Sequence, residues 1–326
     1  MRKGHLPEIW EGPAVHGQLR RPPVGKRGRR GYLCIHPNPR KATVMILPRL
    51  ALAALLALAG PVLAETPPDA PAAVAPTEVG EAMQLGALFA VLREEGLAHG
   101  DTLETDMFPA GGGAEWQAEV SRIYDAERLH GEFDRILQKE LASDPEAVRE
   151  IVGFFGSDLG QRIVGLEIEA RRAFLDTATE EAARVAADDA ATGRDPKVAL
   201  IGRLIKAGDL LEMNVAGALS GNLAFMTGMA ATGAYGGAIP EDQLLADVWA
   251  QEEQIRSDTS TWLQAYLGLA YAPLTEAELA RYVEFSESPA GHRLNAALFV
   301  AFDTVFRQVS EDLGRAAGRA MQGRDI

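Results

Sequence analysis

The chain has 326 residues, with 32 Lys/Arg against 46 Asp/Glu, one cysteine and 47% apolar residues. The basic residues are concentrated at one end: residues 65–326 hold 21 Lys/Arg and 44 Asp/Glu, a net charge of −23. A field of that sign repels phosphate backbones and anionic lipid surfaces, so nucleic acid is not an expected partner and membrane association is disfavoured.

Residues 1–44 contain ten Lys/Arg, several Pro and Gly, and no periodic apolar segment. They are expected to be an upstream extension from a mis-assigned start codon. A signal peptide is expected over 45–64. Met45-Ile-Leu-Pro-Arg49 is a short basic start, Leu50 to Leu58 is a Leu/Ala run, and Val62-Leu63-Ala64 is a small-residue exit with cleavage after Ala64. The run is shorter than the roughly 20 apolar residues a membrane span needs. Export to the periplasm or beyond is the expected outcome, with Met45 as the start. Trimming there removes Cys34, the sole cysteine, so disulfides, thiolate–metal sites and cysteine nucleophiles are excluded from the remainder.

Residues 65–76 are rich in Pro and Ala and read as an extended tether. From 77 onward the apolar spacing is helical and no alternating strand appears, so the fold class is all-α. Helices are predicted over about 78–96 and 115–141. A hairpin follows, with Ser143 or Asp144 capping a short helix and Ser157 capping a long one that runs through Ile163, Leu166 and Phe174. Thr192 to Pro196 reads as a loop. Further helices are predicted at 197–207, 209–232 and 241–270. The last hairpin spans 275–287 and 289–321, with Thr275 and Glu278 as a capping box, Ser288 as N-cap and Pro289 as first helical residue.

The chain carries an internal duplication. At a shift of 131, Glu81, Gly86, Ala87, Leu88 and Leu92 fall on Glu212, Gly217, Ala218, Leu219 and Leu223. Val152, Phe154, Ser157, Gly160 and Arg162 fall on Val283, Phe285, Ser288, Gly291 and Arg293, and Pro109 falls on Pro240. Two helical repeats are therefore expected, over 77–192 and 197–322, forming a compact bundle of duplicated hairpins. Ser157 and Ser288 are read as caps, Gly160, Gly291, Gly86 and Gly217 as close helix contacts, and Phe154 and Phe285 as core. Arg162 and Arg293 are either exposed and paired with carboxylates or a matched pair of anion-binding residues.

The run Leu274-Thr275-Glu276-Ala277-Glu278-Leu279 through Phe285-Ser286-Glu287-Ser288-Pro289-Ala290-Gly291 resembles the bacterial domain-of-unknown-function family 2059. The resemblance covers about 240–312, and the first copy follows it more loosely, with Asp158 in place of Pro289. It implies an exported helical protein of uncharacterised function and transfers no catalytic residues.

No motif calls for a metal or cofactor. Glu127-Arg128-Leu129-His130 is a lone Glu-x-x-His, where di-iron bundles use two. His99, His130 and His292 lack ligand spacing, and His292 is expected to be exposed in a turn. Neither a nucleophile elbow nor a phosphate-binding loop occurs. Residues 213–240 contain no Asp, Glu, Lys or Arg before Glu241. Their glycines and Asn214 and Asn222 favour a buried core helix over a membrane contact. The leading expectation is a non-enzymatic binding module for an envelope protein or an apolar ligand, with Met213, Met226 and Met229 lining an apolar groove. The alternatives are a hydrolase built on distant carboxylates with His130 or His292, and membrane association through 213–240. The oligomeric state is left open.

Overall fold

The computed structural model describes residues 74–108 and 111–323, all within one compact unit. The expected signal peptide, its cleavage point at Ala64, residues 1–44 and Pro109 lie outside the described residues. Within them the chain forms thirteen helices and no strand. They are α1 Thr77–Ala82, α2 Leu85–Met107, α3 Gly113–Ile123, α4 Ala126–Leu141, α5 Pro145–Phe155, α6 Asp158–Ala173 and α7 Thr177–Gly193. The second half comprises α8 Pro196–Ala207, α9 Leu210–Thr232, α10 Glu241–Trp249, α11 Glu252–Tyr271, α12 Glu276–Ser286 and α13 Pro289–Met321.

Caps explain where most helices begin. Ser157 accepts from Gly160 N at 3.1 Å and Ser288 from Gly291 N at 3.2 Å. Thr275 and Glu278 form the capping box. Of the two cap readings for α5, Asp144 is the one formed, accepting from Ala147 N at 3.0 Å, with Pro145 at the first helical position. Four segments expected to be continuous are broken. Gln84 adopts φ 51° and separates α1 from α2. Asp125 caps α4 through Arg128 N at 2.9 Å, and Asp176 caps α7. Ala250 and Gln251 separate α10 from α11. In each case apolar spacing persists across the break, while a local cap or turn lets the chain change direction.

The duplication is visible in the helix frames, in two registers. α5 and α12 coincide at a shift of 131, as do the starts of α6 and α13. α2 and α9 are each 23 residues long and coincide at a shift of 125; Gln84 and Asp209, both left-handed at φ 51° and 50°, immediately precede them. The longer second copy takes up the difference between α9 and α12. This corrects the first block of the sequence match. Six residues turn a helix by about 120° relative to the frame, so pairing Gly86 with Gly217 places them on different faces. A Cβ on Gly217 would meet nothing within 4 Å, and one on Gly86 would only graze His130 at 3.8 Å. Neither glycine is a tight helix contact.

In the second block the helix bounds keep the shift of 131. A Cβ on Gly160 would lie 2.2 Å from Phe154 O, and one on Gly291 2.5 Å from Phe285 O, so both positions admit only hydrogen there. Phe154 and Phe285 stack on each other, with centroids 4.1 Å apart and planes at 11°. Both are half-buried against the core rather than fully inside it. Contact between equivalent residues joins the two hairpins back to back. α1 packs on α5 as α8 packs on α12, and α2 on α4 as α9 on α11.

One apolar core runs through both copies. It includes Trp116, Phe89, Phe133, Phe155, Tyr271 and Tyr282, and α13 threads it alongside α3, α4, α5 and α9. The segment 213–240 is largely α9, buried against α13. A Cβ on Gly228 would fall 2.2 Å from Glu311 O, and one on Gly314 2.1 Å from Phe225 O, so the two backbones touch. Asn214 satisfies its amide on Leu210 O at 2.7 Å, and Asn222 donates to Gln251 at 3.3 Å. Among the described residues no helix is long and apolar enough to cross a membrane.

Candidate binding site

Where the two copies meet, α6 carries charge on its buried stripe. Leu159 and Ile163 continue at helical spacing into Glu167 and Arg171. Arg171 is 3% exposed and pairs with Glu95 of α2, Nε to Oε1 at 2.6 Å and Nη2 to Oε2 at 2.8 Å. Glu167 receives hydrogen bonds from the second copy. Tyr271 OH donates to Oε1 at 2.6 Å and Tyr282 OH to the same oxygen at 3.1 Å, while Tyr266 OH donates to the Glu167 backbone carbonyl at 2.9 Å. Burial pushes the Glu167 carboxyl up to about 7, against the lowering effect of the two tyrosine hydrogen bonds. Burial also raises all three phenols.

Glu167, Arg171 and Tyr266 border a chamber of about 50 Å³ walled by Leu85, Val164, Leu298, Phe299 and Phe302. Asn295, 8% exposed, also faces it. Its Nδ2 donates to Gly208 O at 2.8 Å, which fixes the amide orientation, and its Oδ1 is buried with no partner among the described residues. No histidine lines this chamber. A larger groove of about 420 Å³ lies between α9 and α13, with Met213, Gly217, Ala218, Phe299, Phe302 and Phe306 on its walls. Asp303 and Arg307, both exposed, border it, and so does Val300, 45% exposed. Phe299 and Phe302 are shared by groove and chamber. A further cavity of about 400 Å³ lies beneath α7, against α8 and α11, faced by Ala186, Ala187, Ile201, Ile205 and Leu269.

The residues singled out from sequence are distributed unevenly over these features. Met213 lines the groove; Met229 is buried in the core, and Met226 is half-buried nearer the same end of α9, so the three do not line one surface. Arg162 is exposed and pairs with Glu278 at 2.6 Å, also donating to Pro273 O at 2.7 Å, which favours the carboxylate-paired reading. Arg293 is half-buried with no such carboxylate partner among the described residues. His130 stacks on Phe89 at 5.5 Å while Glu127 is exposed, so the Glu-x-x-His does not converge. His292 is half-buried, not exposed: its Nε2 is enclosed without a partner among the described residues, and burial lowers its pKa, as it does for His99. Among the described residues no group of three or more His, Cys, Asp or Glu could hold a metal ion.

Sequence reasoning missed Glu167. The available signal was the apolar stripe of α6, where the positions after Ile163 are filled by Glu and Arg instead of aliphatic residues.

No curated protein and no solved structure matches the chain. A family model described as "Uncharacterized protein conserved in bacteria (DUF2059)" matches residues 127–189. The match falls on the first copy, where the sequence motif had placed the resemblance over 240–312. It takes in α4 to most of α7, including the Ser157 cap and Glu167. Through this segment the chain matches a bacterial family whose description assigns no function.

Proposed function

We propose that this protein is an exported binding module that holds an apolar chain in the groove between α9 and α13. The groove itself carries the reading. At about 420 Å³ it falls within the size range of small-molecule sites. Its walls are aromatic and aliphatic, and Met213 and Val300 keep apolar surface exposed at its edge, 36% and 45% respectively. Exposed apolar surface gathered at a concavity is a recognition feature. Catalysis receives less support, because Glu167, the one carboxyl with a strongly raised pKa among the described residues, has no histidine beside it in the chamber it borders. The signal-like segment at 45–64 supports export, and N-terminal sequencing of the protein recovered from cells is expected to read from Glu65.

Gly217 provides the test. A Cβ added there would meet nothing within 4 Å, on a wall of the groove, and the substitution replaces a poor helix former. Gly217→Trp is expected to abolish enhancement of a neutral naphthylamine dye while leaving the helical circular dichroism unchanged. Thr102→Trp, at an exposed position on α2, is the control and is expected to bind dye normally. Equal dye binding by both variants would refute the groove as the site.

A further inference from the structure

We infer that the chamber beside the groove recognises a primary ammonium head, so that the ligand is an alkylamine whose chain occupies the groove. This rests on the groove reading for the chain and on separate atoms for the head.

Two acceptors border the chamber. Both tyrosine hydroxyls that reach the Glu167 carboxylate bond to Oε1, so neither occupies Oε2, on a side chain that keeps some solvent contact. Asn295 Oδ1 is the second; its amide cannot rotate to offer a donor without breaking the bond to Gly208 O. A buried acceptor left without a donor, as Asn295 Oδ1 is, is destabilising. Arg171, on the same chamber wall, pairs with Glu95 through two contacts, and a cationic head beside Glu167 would match the carboxylate's charge. A primary ammonium carries three N–H donors and one positive charge, so it can serve both acceptors and the carboxylate together. A hydroxyl head can donate only one hydrogen, and a carboxylate head would add like charge. Phe299 and Phe302 border both spaces, and in this proposal the chain of a ligand held at the chamber runs past them along the groove.

The groups facing Glu167 are Tyr266 and Tyr271 from α11, Tyr282 from α12, Arg171 on its own helix and Glu95 from α2. The tyrosines, whose phenols burial raises, remain neutral near pH 7. Amine binding therefore follows ionisation of Glu167: affinity rises with pH through about 7 and falls only as the amine itself loses its proton, near the lysine value of about 10.4.

The test is calorimetric titration of the full-length protein with octylamine, 1-octanol and octanoate. Octylamine is expected to bind about tenfold or more tightly than the other two, the range for one charge-assisted hydrogen bond. Glu167→Gln is expected to reduce octylamine to the level of octanol and to remove the pH dependence. Asn295→Leu is expected to weaken octylamine severalfold while sparing octanol. Should one variant fail to fold, the other and the wild-type pH profile still decide. Equal binding of amine and alcohol, or an amine preference that survives Glu167→Gln, would overturn the head-group assignment and leave the groove standing. Binding of none of the three would overturn both.

Discussion

Replacing Glu167 with glutamine removes the one carboxyl, among the described residues, that folding makes clearly harder to ionise. Its pKa rises from 4.5 to about 7 because burial disfavours the charged form. The folded protein thus binds this proton more tightly than the unfolded chain. The stabilising contribution is complete below about 4.5 and is lost as pH climbs through about 7. The full span corresponds to about 3 kcal/mol, an upper bound because the side chain retains some solvent contact. Of this, about 2 kcal/mol falls between pH 5.5 and 8.5. Urea unfolding of wild type and Glu167→Gln at both pH values isolates the effect. His99 and His292, whose lowered pKa values work in the opposite direction, are common to both proteins and cancel. Wild type is expected to lose about 2 kcal/mol more than the variant on going to the higher pH. Parallel pH profiles would show that Glu167 is well solvated and would refute the burial argument.

Other positions give independent checks by denaturant unfolding. Gly228→Ala drives a methyl into Glu311 O and is expected to destabilise by about 2 kcal/mol or more, whereas Gly217→Ala, facing open space, is expected to be neutral or mildly stabilising. A double-mutant cycle on Phe154→Ala and Phe285→Ala is expected to return a coupling of about 1 kcal/mol from the stacked pair. Ser157→Ala and Ser288→Ala are each expected to cost about 1 kcal/mol, since each removes a cap of the same geometry in its own copy.

Local chemistry was legible in the sequence. The Ser157, Ser288 and Thr275/Glu278 caps need only residues within one turn, and the helical period named the fold class. Helix breaks were less so, because the apolar spacing through Tyr124 and Phe174 runs on without interruption, and Asp125 and Asp176 act as caps only once the chain turns there. The duplication was visible, but its first block was misregistered: a few matched residues cannot locate the extra length inserted between α9 and α12. The polar node was hidden for a different reason. Glu167 and Glu169 look alike along the chain, and only the arrival of Tyr271 and Tyr282 from more than a hundred residues away makes one of them unusual. Met213 found its groove from sequence, while Met226 and Met229 did not, since position along α9 decides which side faces α13.

Photo-crosslinking tests whether the α9–α13 groove holds an apolar chain. A diazirine-bearing alkylamine is irradiated with the full-length protein and the labelled peptides are mapped. Label is expected on the stretches lining the groove, 213–220 and 299–307. Label confined to the cavity under α7, on peptides carrying Ala186, Ile201 or Leu269, would contradict it.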